Sequence, residues 1–301
     1  MTDRCNLRCR YCMPEAGVEK KLHSDILRIE EIKEIVRISS ELGIEKIRIT
    51  GGEPLIRRGI VSLCESISEM PKVKELALTT NGQLLPEMAK DLADAGVDRV
   101  NISLDTLRPE RYRQMTRTGD IDRVLDGIEA AQKAGLTPIK INTVLIGGYN
   151  EDEVDDFIKI TTDNDIHVRF IELMPLGVAV ELGKSAFTDA VGITDRHPEP
   201  IPLGNDGVAR IYRLPGAKGT IGLITPMSHE FCDRCDKLRL TSDGKLKPCL
   251  HSDKEIPLKG LSGDKLCEAI KEAITLKPLK HPDYIPGEAT AGGRYMNKIG
   301  G

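Results

Sequence analysis

From about residue 29 to 173 one unit recurs: a helix-length amphipathic stretch followed by a short β-rich run. In the first repeat, Ile32, Ile35, Val36, Ile38 and Leu42 share a helical face that stops at Gly43, and 46–50 then reads as a strand. Further strands are expected at 75–80, 99–104, 139–145 and 167–173, with helices near 60–69, 84–95, 121–134 and 151–163. Short strands joined by helix-length crossovers must run parallel, so the fold class is α/β.

The strands are two-faced. Ile47 and Ile49 oppose Lys46, Arg48 and Thr50; Val100, Ile102 and Leu104 oppose Asn101, Ser103 and Asp105; Ile139 and Ile141 oppose Lys140 and Asn142. A closed barrel fills its interior with branched apolar side chains, and a doubly wound sheet is buried on both faces. A polar, basic face instead suits a partial, open β/α barrel whose concave side holds a large charged ligand; a merely solvated face is the other reading. After Met174 the stretch 175–206 is rich in glycine and proline and yields no assignment. Short strands at 209–214 and 220–225 read as a hairpin around Pro215-Gly216, and a helix near 262–275 follows. We place a domain boundary near 213, giving units 1–213 and 214–301. No apolar run approaches the ~18 residues needed to span a bilayer. The first residues lack a signal-peptide core, and the net charge is −4. A cytoplasmic protein that binds neither membrane nor nucleic acid is expected.

In a reducing compartment the eight cysteines imply metal or redox chemistry rather than disulfides. Cys5, Cys9 and Cys12 form C-x₃-C-x₂-C. Three thiolates on one loop suit a four-iron cluster with one iron left open. Zinc would need a fourth ligand, and the nearest histidine, His23, lies eleven residues beyond Cys12. Cys232, Cys235 and Cys249 form C-x₂-C-x₁₃-C. Taken alone, that spacing favours zinc, with His229 or His251 as fourth ligand. Cys64 and Cys267 fall in helix-like segments and read as small buried hydrophobes.

Tyr11 precedes Cys12, and Thr50-Gly51-Gly52-Glu53-Pro54 follows a strand; with the first triplet, these resemble the radical S-adenosylmethionine (SAM) superfamily. Phe231-Cys232-Asp233-Arg234-Cys235, then Lys237-Leu238-Arg239, Gly244-Lys245-Leu246 and Cys249-Leu250, together with the closing Gly300-Gly301, narrow the resemblance to the GTP 3′,8-cyclase family of molybdenum cofactor biosynthesis. It covers essentially the whole chain. The resemblance implies two [4Fe–4S] clusters, a radical SAM core and a smaller C-terminal cluster-binding domain, which overturns zinc for the second triplet. It also implies hydrogen abstraction from ribose C3′ of GTP by a 5′-deoxyadenosyl radical and attack on guanine C8, giving 3′,8-cyclo-7,8-dihydro-GTP. By the same resemblance Tyr11, Gly52, Ser103 and Met174 contact SAM. Arg48, Thr79, Lys140, Lys237, Leu238 and Arg239 contact GTP, as would Lys46 and Arg169 on the basic face, and Gly300 and Gly301 reach toward the catalytic cavity. The implied partners are GTP, an external electron donor and, downstream, cyclic pyranopterin monophosphate synthase; a homodimer is compatible.

Two departures stand out. The family carries a further strand before the first cluster, with an arginine in Arg-x-Ser-Val-Thr-Asp-Arg-Cys, whereas here Met1 stands in place of that valine. An incomplete first strand and a natural start further upstream are therefore expected. Lys237 replaces an arginine, keeping the charge and losing the bidentate fork. Alternatives are a radical SAM maturase that modifies peptides and a zinc-binding interaction module.

Overall fold

Parallel strands bury one edge-to-edge ladder and need a crossover between each pair, and the chain supplies both in strict alternation. The computed structural model describes residues 1–19, 21–196, 200–281, 288–289 and 293–299. The strands are β1 (Lys46–Ile49), β2 (Glu75–Thr80), β3 (Arg99–Ser103), β4 (Ile139–Leu145), β5 (Ile166–Glu172), β6 (Ile201–Asp206), β7 (Ala209–Arg213), β8 (Thr220–Ile224), β9 (Arg239–Leu240), β10 (Lys245–Lys247) and β11 (Ile256–Pro257). The helices are α1 (Ile29–Glu41), α2 (Ile60–Ser68), α3 (Leu85–Asp94), α4 (Pro109–Thr116), α5 (Ile121–Lys133), α6 (Val154–Asp163) and α7 (Gly263–Thr275). An eight-stranded sheet runs β1-β2-β3-β4-β5-β8-β7-β6 and does not close, with β1 and β6 at its edges. β1 to β5 and β8 are parallel, while β7 pairs antiparallel with both neighbours. A second sheet, β11-β10-β9, carries the C-terminal cysteine region.

The register explains why one face is oily. Val100, Ile102, Leu78 and Val168 are fully buried under the helices, and Phe157 of α6 meets Phe170 of β5 edge to face at 6.3 Å. Cys64 lies buried within α2, its thiol pushed up to about 12 by burial, and Cys267 packs half-buried on the core side of α7.

The expected strands and helices between 29 and 173 are present, and β7 and β8 form the expected antiparallel pair. The sequence reading missed α4, whose polar composition (mostly Arg, Glu, Gln and Tyr) gives a weak apolar stripe, and also β6 and the small sheet. β6 is fully exposed along its length, so no burial pattern marks it. Residue 213 is the last of β7, which pairs with β8 in one continuous sheet. Residues 1–4 lie along the segment after β1: Met1 N donates to Thr50 O at 2.9 Å, Gly52 N to Thr2 O at 2.6 Å and Glu53 N to Arg4 O at 2.8 Å.

Candidate functional site

Because Cα partners in a parallel pair point to the same side, the register stacks polar residues into rows. Thr79, Asn101, Lys140, His167 and Thr220 form one row, Ser103, Asn142, Arg169 and Gly222 the next, and Arg48, Ala77 and Arg99 the row before. The rows are wired together. Arg99 donates to Asn101 Oδ1 at 2.7 Å and Glu75 Oε1 at 2.5 Å, and Asn101 Nδ2 donates to Thr79 Oγ1 at 3.2 Å. Lys140 and Arg169 are buried and both donate to Oδ2 of Asp206, the last residue of β6, Lys140 at 2.5 Å. Burial, then the charge of Arg169, hold Lys140 down at about 8, and burial lowers Arg169 to about 10. Of the two further cations expected on the basic face, Arg169 lies deep in it, whereas Lys46 is exposed and 4.0 Å from Glu75.

The first cysteine loop is held at the C-terminal ends of the strands, largely by α4 and the turn after it. Arg8 N donates to Thr116 O at 2.9 Å, Arg10 N to Met115 O at 3.0 Å, Arg117 to Arg8 O at 2.7 Å and Thr118 Oγ1 to Asn6 O at 3.0 Å. Cys5 Sγ accepts from Leu7 N at 3.3 Å and Asn81 Nδ2 at 3.7 Å. Burial raises all three thiols, Cys12 to about 12, and Cys9 and Cys12 are raised further by neighbouring cysteines. Such thiols give up their protons when a cation takes their place. Tyr11 donates to Asp105 Oδ2 at 2.8 Å, and burial pushes Asp105 up to about 6. Glu53 accepts from Leu55 N, Thr80 Oγ1 and Asn81 N at 2.8–3.0 Å and is pushed up to about 7 by burial. A Cβ on Gly52 would lie 2.1 Å from Arg4 O, so glycine here admits the cysteine-loop backbone.

The second triplet is linked to the sheet through Arg239, which is near enough to Arg48 of β1 and to Cys235 and Cys249 to feel the charge of each, and whose own charge is disfavoured chiefly by burial. Lys237 lies against Asp236 at 2.6 Å, and Leu238 packs on the core. His251 shares with Cys249 a cavity of about 310 Å³, while His229 is exposed and turned to Ser228. The segment 293–299 then crosses back to the first loop. Asn297 donates its side-chain amide to Asp3 O at 2.8 Å and its backbone N–H to the Cys12 sulfur. Arg294 anchors it, bonding both oxygens of Glu255 and both of Asp243 at 2.5–3.2 Å.

Family models divide the chain between two descriptions: the Radical SAM superfamily over residues 1–160 and Molybdenum Cofactor Synthesis C over residues 166–282. Relatives named GTP 3′,8-cyclase from Alkaliphilus metalliredigens and Alkaliphilus oremlandii are 50% and 49% identical over 306 residues, all of this chain and 95% of each relative. One from Moorella thermoacetica is 49% identical, covering 93% of this chain and 90% of its own. The chain belongs to the GTP 3′,8-cyclase family. Among solved structures, Streptococcus suis SuiB bound to S-adenosylmethionine superposes with a TM-score of 0.61 at 17% identity, covering 89% of this chain and 65% of that one. SuiB bound to its precursor peptide SuiA gives a TM-score of 0.63. At that identity the likeness shows the radical SAM fold alone.

Membership in the cyclase family brings SAM and a [4Fe–4S] cluster, and the first loop fits them. Among the described residues no three His, Cys, Asp or Glu side chains converge to hold a single ion. Thiolates bound to separate irons of a cluster need no such convergence. Asp3 Oδ2 and Asn297 Oδ1 beside the loop, and Asn142 Oδ1 and Arg169 Nε on the concave face, are buried without a hydrogen-bond partner among the described residues. Buried orphans of this kind call for a polar ligand. Ser103 at the end of β3 and Met174 just beyond β5 are half-buried. Gly300 and Gly301 lie outside the described residues. Sequence reasoning missed Asn81, Asp105, Asp206 and Asn297; Asp105 alone carried a signal, its alternation in phase with the polar face of β3 just past that strand's end.

Proposed function

We propose that this member of the GTP 3′,8-cyclase family converts GTP to (8S)-3′,8-cyclo-7,8-dihydroguanosine 5′-triphosphate, an early step in making molybdenum cofactor. The observation that carries the reading is the pair of buried cations Lys140 and Arg169 on the polar face of the sheet, with exposed Arg48 on the row before and half-buried Arg239 within reach of Arg48 and of the second cysteine triplet. Cations are the partners that a triphosphate requires, through strong charge-assisted bonds. When bound, the first cluster and SAM supply an electron and a 5′-deoxyadenosyl radical, chemistry that belongs to the cofactors.

The chain's residues do the rest. Cys5, Cys9 and Cys12 hold the first cluster, with Tyr11, Gly52, Ser103 and Met174 toward SAM. Cys232, Cys235 and Cys249 hold a second cluster that faces the guanine. Lys140, Arg169, Arg48, Lys46, Lys237 and Arg239 take the phosphates, and Thr79 and Leu238 the nucleoside. We assign the core to the continuous sheet, whose strands support a division after Ile224 rather than at 213. The reaction needs an external one-electron donor, and its product passes to cyclic pyranopterin monophosphate synthase, in the cytoplasm. A homodimer fits this reading. The peptide-modifying alternative has only the fold likeness to SuiB behind it.

Anaerobic reconstitution followed by SAM, dithionite and GTP tests the proposal. The expected result is roughly eight irons per chain, 5′-deoxyadenosine released only with GTP, and the cyclic dihydro product. Deoxyadenosine formed equally without GTP, or zinc in the second triplet, overturns it.

A further inference from the structure

Lys277 lies just beyond α7, and its ammonium group makes three contacts. Nζ donates to Lys237 O at 2.8 Å, to Pro248 O at 3.1 Å and toward Cys235 Sγ at 3.6 Å. An ammonium group has three protons, and these contacts use them all. Lys237 follows Cys235 by two residues and Pro248 immediately precedes Cys249, so one side chain ties together the two separate chain segments that carry the second triplet. Among the described residues no carboxylate pairs with Lys277. A half-buried cation held only by carbonyls and a sulfur calls for negative charge at that sulfur. The neighbouring Cys232 sulfur is approached in the same way, by the backbone N–H of His281.

We propose that Lys277 is a positioning residue for the second metal centre: it clamps the Cys235 and Cys249 loops at their working separation and places a fixed positive charge against the Cys235 thiolate. Groups that donate to a ligand sulfur set both the retention and the reduction potential of an iron–sulfur centre. A cation there favours the more reduced, more negative form. The inference rests on the reading of Cys232, Cys235 and Cys249 as iron–sulfur ligands, and the test separates the two.

The experiment uses the full chain with Cys5, Cys9 and Cys12 all changed to alanine, reconstituted anaerobically with iron and sulfide so that only the second centre loads. Lys277→Met removes the charge and keeps the length; Lys277→Arg keeps the charge and the donors. Iron loss to a chelator and the midpoint potential, followed by electron paramagnetic resonance, are read on each. Lys277→Met should lose iron about tenfold faster than its parent and titrate at a more negative potential, with Lys277→Arg restoring most of both. If the methionine variant does not fold, Lys277→Gln carries the same reading, since its amide still donates to a carbonyl but bears no charge. An unchanged potential and unchanged iron retention in the folded neutral variant overturn the role of Lys277. A parent that loads no iron overturns the second centre itself, and the inference with it.

Discussion

Asp206→Asn should weaken the free protein and tighten its hold on GTP. Asp206 Oδ2 accepts from both Lys140 and Arg169, cations that we assign to phosphate binding. Burial alone would raise its carboxyl; the hydrogen bond from Lys140 and the charge of Arg169 bring it down instead, from 3.8 to about 2. That difference is worth roughly 2.4 kcal/mol at 1.36 kcal/mol per unit. Half of the side chain faces solvent, and screening reduces the figure to about 1 kcal/mol. Because the folded pKa is depressed, this stability is complete above pH 3.8 and disappears as the pH falls toward 2. Urea unfolding at neutral pH should therefore find the asparagine variant about 1 kcal/mol less stable. A triphosphate that reaches Lys140 and Arg169 must first displace this carboxylate, so the same ~1 kcal/mol reappears in binding, about a fivefold lower Kd. Isothermal titration of the reconstituted protein with GTP measures it. A folded variant with an unchanged Kd shows that phosphate does not contact this pair, and a weaker Kd shows that Asp206 assists the ligand; either result refutes the reasoning.

Lys140 has a folded pKa of about 8, below its ordinary 10.5, so its charge is present below pH 8 and lost above it. GTP affinity should fall between pH 8 and 9.5, with net proton uptake on binding near pH 8.5, and Lys140→Met should flatten that profile in titrations run in buffers of different ionisation heat. In Gly52→Ala the new methyl would meet Arg4 O at 2.1 Å, a backbone atom that cannot step aside; a loss of about 3 kcal/mol is expected, read as a lower Tm and failure to load the first cluster. Arg294→Met removes one cation from Asp243, which keeps Lys21, and one from Glu255, which keeps Lys245 and Lys247; a cost of about 1–2 kcal/mol is expected, together with faster proteolytic clipping near residue 293 in the otherwise folded chain.

The alternation of periods was enough to locate the sheet, because each buried row of Ile, Val and Leu leaves a signature in its own strand. Both triplets were legible as candidate ligand sets, since that candidacy is a matter of residue type and local spacing. Long-range partners were not legible. Asp206 falls in a stretch with no assignable pattern and acquires meaning only when the hairpin of β6 with β7 brings its carboxylate to Lys140 of β4 and Arg169 of β5. α4 hides because it packs mainly through Tyr112 and Met115 and spends its polar residues on other segments. Spacing likewise reports that Cys232, Cys235 and Cys249 can be ligands but not what they hold; the ammonium group beside Cys235 belongs to Lys277, 42 residues further along the chain.

Asn297 meets both Asp3 and Cys12, and 294 residues separate it from Asp3. A loop of thiols whose wall comes from 294 residues away takes its final shape only once the intervening sheet has folded, so the contact that shelters the first cysteines also reports that the rest of the fold is in place.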